Sequence, residues 1–535
     1  MNFKHFGVML DCSRNAVMKV ESVKKYIDIL ERLGYNTLML YTEDTFEVNN
    51  QPFFGYLRGR YSKSELKEID KYAAEHNIEL VPCIQTLAHL NGIVRWRTYN
   101  DYRDVHDILL AGDERTYKLI EDIFATLSEC FTSRVVNIGM DEAHMVGLGK
   151  YLDKNGYQNR FEILLNHLKR VCEIAEKYGF KAIMWSDMFF RLAGDGHYYA
   201  ENIKIDEKIT SLVPKELGLI YWDYYAKDRS RYDNMIVAHK QFDNEIWFAG
   251  GLWCWNGFAP RNLFSIDTIK AAMPSLVDNG IENVIFTLWG DDGKECSNYA
   301  VLPSLYYASM YAKGITDEEE IKAGFLKEFG IPFDDFMLLD LPDTCGLEKN
   351  SNLNPEKYMF YNDPFNGILD CTIDDGFEPR YDECEKKLIK HKNNKDYGYL
   401  FDFYAKLCRF LQLKYTIGKR TREAYRRDDK KELKKLVGDY EDMFYRLDEF
   451  YKAYKEVWFE NNKPFGFDVQ DIRIGGLKQR ICYCRERLDD YIKGKILKIE
   501  ELEEDILNEF PEKYCYFNNW ATNVTVNVIT HERYN

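Results

Sequence analysis

Two adjacent carboxylates, Asp141 and Glu142, follow a short β-branched run, Arg134-Val135-Val136-Asn137-Ile138-Gly139-Met140. Val135, Val136 and Ile138 suit a buried strand, and Gly139 lets the backbone turn before the acids. Such a pair could serve an ATPase, a metal site, a solvated turn or proton transfer to a sugar. Asp141-Glu142-Ala143-His144 spells the tetrapeptide of a nucleic-acid helicase ATPase, which also needs a glycine-rich phosphate loop ending in Gly-Lys-Ser or Gly-Lys-Thr. Gly147-Leu148-Gly149-Lys150-Tyr151 and Gly290-Asp291-Asp292-Gly293-Lys294-Glu295 both lack that ending. No His-Glu-x-x-His motif or Cys/His pair at ligand spacing occurs, so no metal or other cofactor is expected.

Glycosidic bond cleavage accounts for more of the pattern. One carboxylic acid must protonate the leaving oxygen, and a second negative group must stabilise the charge that develops on the ring. Retaining enzymes ordinarily set two carboxyls about 5 Å apart on opposite faces of the sugar, which sequence neighbours do poorly. Neighbours suit a substrate whose own 2-acetamido group attacks the anomeric carbon. The protein then supplies an acid/base and a group that orients the acetamide.

Such a pair must be carried by a scaffold, and the first 310 residues describe one. Eight apolar runs, Phe6–Leu10, Thr37–Tyr41, Glu79–Ile84, Val135–Ile138, Ala182–Trp185, Leu217–Trp222, Ile246–Ala249 and Asn283–Leu288, alternate with amphipathic stretches. The stretches include Ser22–Leu33, Ser64–Glu75, Glu114–Phe131, Arg160–Tyr178, Tyr232–Asp243 and Asp267–Asp278. This alternation predicts an α/β fold, a (β/α)8 TIM barrel over residues 1–312. A doubly wound open sheet is the structural alternative, but its phosphate-binding glycine fingerprint is missing. In a barrel the working groups follow the strands, and here the run ends carry Asp11 to Arg14, Glu43-Asp44, Gln85 to His89, Asp141-Glu142, Trp185 to Asp187, Trp222 to Tyr225, Trp253 to Asn256 and Trp289 to Asp292. Five of the nine tryptophans fall at these ends. Flat aromatic faces for the C–H side of a pyranose, with charges for its hydroxyls, are what a sugar site needs.

The ordered motifs also carry a family resemblance. Gly139-Met140-Asp141-Glu142 resembles the Gly-x-Asp-Glu motif of glycoside hydrolase family 20, the β-N-acetylhexosaminidases. Gly7-Val8-Met9-Leu10-Asp11-Cys12-Ser13-Arg14 is similar to the family's first-strand motif, Thr86-Leu87-Ala88-His89 to its Thr-Pro-Gly-His element, and Trp289-Gly290-Asp291 to its eighth-strand Trp-Gly-Glu. The resemblance implies Glu142 as general acid/base and Asp141 as the group that orients the acetamide. It further implies Arg14 and Asp291 on the sugar hydroxyls, Trp289 as a pocket wall, and His89 paired with an acid, for which Asp44 is the candidate. Trp185, Trp222 and Trp253 would enclose the acetamido sugar. Asn15 stands where the family commonly has His, Met140 replaces a frequent Gly, and Asp291 is one methylene shorter than the usual Glu. The family's acetamide-binding Tyr has no match in Trp253-Cys254-Trp255-Asn256-Gly257, and Tyr224 or Tyr225 is the expected substitute. A separate α/β domain before the barrel is not expected, since the first run begins near residue 5.

Beyond the barrel, residues 313–397 read as a mixed connector with several prolines, and 398–535 as a helical domain with long patterns at Leu400–Tyr425, Lys430–Val457 and Leu477–Ile492. Such a domain would pack on the barrel or on another subunit, so a homodimer is a compatible assembly. With 45% apolar and 15% aromatic residues the chain can bury a large core, and its net charge of −16 argues against nucleic-acid partners. No stretch approaches the roughly 18 consecutive apolar residues of a membrane span. The amino terminus lacks a secretory signal, and thirteen scattered cysteines show no disulfide framework, so the expected location is the cytoplasm. The expectation is an exo-acting β-N-acetylhexosaminidase that releases terminal GlcNAc, or GalNAc, from oligosaccharides through an oxazolinium intermediate. The competing readings are a non-catalytic amino-sugar-binding protein and a barrel glycosidase for sugars without the acetamide.

Overall fold

The computed structural model describes residues 3–193, 196–199, 203–344, 353–373 and 380–507. All eight apolar runs are strands: β1 (His5–Asp11), β2 (Thr37–Tyr41), β3 (Glu79–Cys83), β4 (Val135–Asn137), β5 (Lys181–Trp185), β6 (Gly218–Trp222), β7 (Ile246–Gly251) and β8 (Asn283–Leu288). They close into a barrel in chain order, with β8 parallel to β1 and Leu10 opposite Leu288. The open doubly wound sheet is thereby excluded. Nearly every strand residue is buried, as parallel strands covered on both faces must be. β4 has only three residues and pairs with β3 at one position, Cys83 opposite Asn137. Its early end frees Ile138 onward to turn inward over the barrel mouth.

The outer helices form where the 3.6-residue pattern predicts them. In Val20–Leu33 the residues Tyr26, Ile27, Leu30 and Leu33 face the barrel, and Gly34 ends the helix at φ 83° while its N–H bonds back to the last turn. Lys63–Glu75 opens on a reciprocal capping box between Ser62 and Glu65, a device that contributes about 1 kcal/mol. Among the described residues no helix is long and apolar enough to cross a membrane. The eleven described cysteines are all free.

Three long helices, Gly398–Arg426, Lys430–Asn461 and Phe467–Ile492, make up the carboxyl-terminal region, and residues 508–535 of the expected helical domain lie outside the described residues. The region packs on the barrel. Phe258, from the loop after β7, inserts among its rings, 5.4 Å from Phe450 and 5.9 Å from Tyr454. Each such buried aromatic contributes roughly 1.5–3 kcal/mol. At the loop after β1 Met18 bridges Asn462, and Lys463 N–H donates to Val17 O at 2.8 Å. The helical region therefore clasps the barrel loops after β1 and β7.

Candidate active site

The mouth is knitted together from the β1 end. Asp11 Oδ1 accepts from Ser13 N–H and Ser13 Oγ at 2.8 Å and from Arg14 N–H at 3.2 Å, while Oδ2 accepts from Gly290 N–H at 2.9 Å. One carboxylate thus shapes the β1 turn and ties it to the β8 turn. Arg14 is then held on every side: Nε lies 2.8 Å from Glu43 Oε1, Nη1 2.6 Å from Asp291 Oδ1, and its guanidinium stacks 5.5 Å from the Trp289 ring. Charge-assisted contacts of this length fix a side chain in place, so Arg14 is a prearranged donor fork.

The turn that carries the two acids uses backbone that most residues avoid. Gly139, Met140 and Glu142 have φ of 73°, 69° and 52°. A Cβ on Gly139 would lie 2.0 Å from Gln85 Oε1, so that turn requires glycine. Gln85 Oε1 accepts from Met140 N–H at 3.1 Å, and its Nε2 donates to Asp141 Oδ1 at 2.7 Å. The turn directs both Asp141 and Glu142 into the same pocket. Left-handed φ at a non-glycine residue costs on the order of 1–3 kcal/mol. Seven of the thirteen described non-glycine residues in that region, Asn15, Glu43, His89, Met140, Glu142, Asp292 and Lys294, stand on this rim.

His89 Nε2 lies 3.1 Å from Asp141 Oδ2 and 3.7 Å from Glu142 Oε2. Burial alone would depress the imidazole, but the Asp141 carboxylate outweighs it and pushes His89 up to about 10. Burial would likewise raise Asp141, yet His89 and the Gln85 amide hold it below the usual carboxylate range. The pair is an imidazolium facing a carboxylate at neutral pH. Asp44, expected as the acid beside His89, is instead ion-paired with Arg58 at 3.0 Å, and both are wholly buried. Among the described residues His89 is ion-paired with Asp141 and Glu142. Asp44 is confined by Gly92, whose missing Cβ leaves room for its carboxylate.

The remaining wall is aromatic. Trp185 and Trp289 are in ring contact at 5.9 Å, Trp222 stacks on Tyr224 at 5.3 Å, and Trp253 stacks on Trp255 at 4.2 Å. One pocket is lined by Arg14, His89, Asp141, Glu142, Trp185, Trp222, Tyr224, Tyr225, Trp255, Trp289 and Asp291. All the candidate site residues from the sequence are in that wall except Asp44 and Trp253. Trp253 faces away because its indole N–H donates to Tyr224 O at 2.8 Å, and its neighbour Trp255 takes the pocket position. Sequence reasoning also left out Gln85, whose only signal was its place at the β3 end. Among the described residues no three His, Cys, Asp or Glu side chains are grouped to hold a metal ion.

The helical region reaches this site through the β8 loop. Arg473 Nη1 donates to Asp292 O and Glu295 Oε1, both at 2.8 Å, and Gln470 Nε2 donates to Gly293 O at 3.0 Å. Lys357 Nζ lies 2.9 Å from the same Glu295, and Asp292, Glu295, Lys357 and Gln470 are buried. Asn15, where the resemblance led to a His, donates to Gly293 O and Gly466 O, joining the β1 turn to the helices. Arg473→Met should therefore cost about 1–3 kcal/mol of stability by removing the charged hydrogen bonds to Asp292 O and Glu295 and leaving both acceptors to Lys357 alone. It should also raise KM more than it lowers kcat, because Asp291 loses its support; urea unfolding and steady-state kinetics measure the two effects.

A closed parallel barrel whose strand ends carry paired carboxylates in an aromatic pocket defines the class of barrel glycoside hydrolases. Residues 3–209 match the glycosyl hydrolase family 20 catalytic domain, and residues 334–515 match the Glycoside Hydrolase 20C C-terminal domain. The chain belongs to glycoside hydrolase family 20. It is similar to hexosaminidase D of Bos taurus, with 25% identity over 257 residues, covering 45% of this chain and 68% of that one. The corresponding human protein is 23% identical over 242 residues, covering 42% of this chain and 46% of its own. The crystal structure of an exo-β-N-acetylglucosaminidase from Vibrio harveyi superposes with a TM-score of 0.47 at 15% identity, over 63% of this chain and 58% of that one.

Proposed function

We propose that this protein is an exo-acting β-N-acetylhexosaminidase that removes a terminal β-linked GlcNAc, or GalNAc, by substrate-assisted hydrolysis. The observation that carries the reading is the adjacency of Asp141 and Glu142 in one pocket, with Asp141 held ionised by His89 and Gln85. Arg14 and Asp291 grip the outer hydroxyls of the terminal sugar, and Trp185, Trp222, Trp255 and Trp289 enclose its ring. Asp141 accepts the acetamide N–H, which turns the carbonyl oxygen toward the anomeric carbon. The Tyr224 hydroxyl donates to that carbonyl.

The carbonyl oxygen attacks as Glu142 protonates the glycosidic oxygen, and the aglycone leaves with that proton. Asp141 stabilises the positive charge on the resulting oxazolinium ring. Glu142, now a carboxylate, takes a proton from water, which opens the ring with overall retention. The Arg14–Asp291 pair closes one end of the pocket, which favours chain ends. The free cysteines fit a reducing compartment, and on that ground we place the protein in the cytoplasm.

The test compares a chromogenic β-N-acetylglucosaminide with the matching β-glucoside, each with and without a thiazoline mimic of the cyclised intermediate. The expected result is turnover of the acetamido substrate alone, inhibited by the thiazoline. Equal turnover of the glucoside, without inhibition, would favour a glycosidase that does not use the acetamide. Binding of GlcNAc with no turnover would favour the non-catalytic reading.

A further inference from the structure

A third carboxyl stands against the acid pair. Asp187 opens the short Asp187–Ala193 helix after β5 and is wholly buried. Its Oδ2 accepts from the Glu142 backbone N–H at 3.2 Å and from Arg191 Nε at 3.2 Å. Its Oδ1 is buried and has no hydrogen-bond partner among the described residues. A buried carboxyl oxygen left unmatched is costly, and proteins rarely keep one without a use. The groups that face Asp187 are Asp141 and Glu142 from the β4 turn, Arg191 from its own helix and Tyr198 from the segment that follows, with His89 beyond the two acids.

We propose that Asp187 is a positioning residue for Glu142, fixing its left-handed backbone through the N–H bond and, as the second buried carboxyl of one cluster, sharing with the Glu142 side chain the proton that is delivered to the glycosidic oxygen. This inference rests on the assignment of Glu142 as the acid. Three carboxyls this close cannot all ionise freely, so they release their protons in steps that belong to the cluster. Asp141 is committed to the anionic form by His89. Burial, and then the charges of Asp141 and Glu142, push Asp187 up to about 7, against the opposing pull of Arg191. The proton shared by Glu142 and Asp187 is therefore held to near neutral pH. The left-handed φ of Glu142, 52°, gives the N–H bond a second purpose, since an unsupported turn of that kind would relax.

Asp187→Asn tests the charge while keeping an acceptor for the Glu142 N–H. The basic limb of the kcat/KM profile should move to lower pH by about one unit, a tenfold change in ionisation constant. At neutral pH kcat should fall about tenfold for a poor leaving group, with KM little changed and an activated aryl substrate nearly unaffected. Arg191→Met should move the same limb to higher pH, because removing a cation raises neighbouring carboxyls. Opposite shifts in the two variants support the proposal, and profiles that superpose on the wild type overturn it. If Asp187→Asn does not fold, the Arg191→Met profile decides alone. A wild type inactive on every acetamido substrate would instead refute the assignment of Glu142 itself.

Discussion

Glu142→Gln should lower kcat/KM for a sugar aglycone by about 10²–10⁴-fold, the usual contribution of a positioned general acid. Glutamine keeps the shape of the side chain but has no proton to give. A dinitrophenolate leaving group needs no protonation, so with that aglycone the first step should recover to near the wild-type rate. The deficit should then pass to ring opening, where the carboxylate is needed as base, and appear as a burst of aglycone before a slow steady state. A loss of equal size for both leaving groups would assign Glu142 to binding or folding. The residue is suited to the role by its site: its backbone is held by Asp187, and its carboxyl is part of the pocket wall beside Asp141.

Asp141→Asn should reduce kcat about 10²–10³-fold for good and poor leaving groups alike, because the missing charge stabilised the ring cation rather than the departing oxygen. That insensitivity to the aglycone separates it from Glu142→Gln. His89 supplies an independent readout. In the folded protein Asp141 holds the imidazole at about 10, and burial opposes this. Removing the carboxylate leaves burial in command, so His89 should titrate well below its present value when followed by NMR. The stability effect has a definite sign. A histidine raised above its unfolded value stabilises the fold fully below about 6.5, and that contribution is lost as pH rises through 10. The penalty of Asp141→Asn, roughly 1.5–3 kcal/mol for a buried charged hydrogen bond, should therefore be present at pH 6 and nearly absent above pH 10.5. A penalty independent of pH would mean that His89 is not the partner that matters.

The barrel was legible because its signal is local. Eight β-branched or aromatic runs between amphipathic stretches mark strands that cannot be solvent-exposed, and each run ends where its strand does, to within a few residues. The acids and Arg14 were legible because a strand end in a parallel barrel points to one rim. Side-chain direction beyond the strand was not. Trp253 and Trp255 are equally aromatic and two residues apart, and only the indole bond to Tyr224 O decides which one faces the cavity. Asp44 and Asp141 are both acids at strand ends, but Arg58 lies far enough along the loop after β2 that nothing local pairs it with Asp44. The clasp on the β8 loop was the least legible part. Arg473 and Glu295 are 178 residues apart, and the sequence marks that arginine only as one charge among many on a helix.

The substrate's own acetamide as nucleophile is the central claim, and a series of aryl β-glucosaminides bearing N-acetyl, N-fluoroacetyl, N-difluoroacetyl and N-trifluoroacetyl groups tests it most directly. Each fluorine withdraws electrons from the carbonyl oxygen while changing its size little. Attack by that oxygen predicts that kcat/KM falls steeply and progressively with every fluorine added. Rates that stay level across the series would contradict the account, because Asp141 or water would then be the nucleophile and the acetamide merely a group to be recognised.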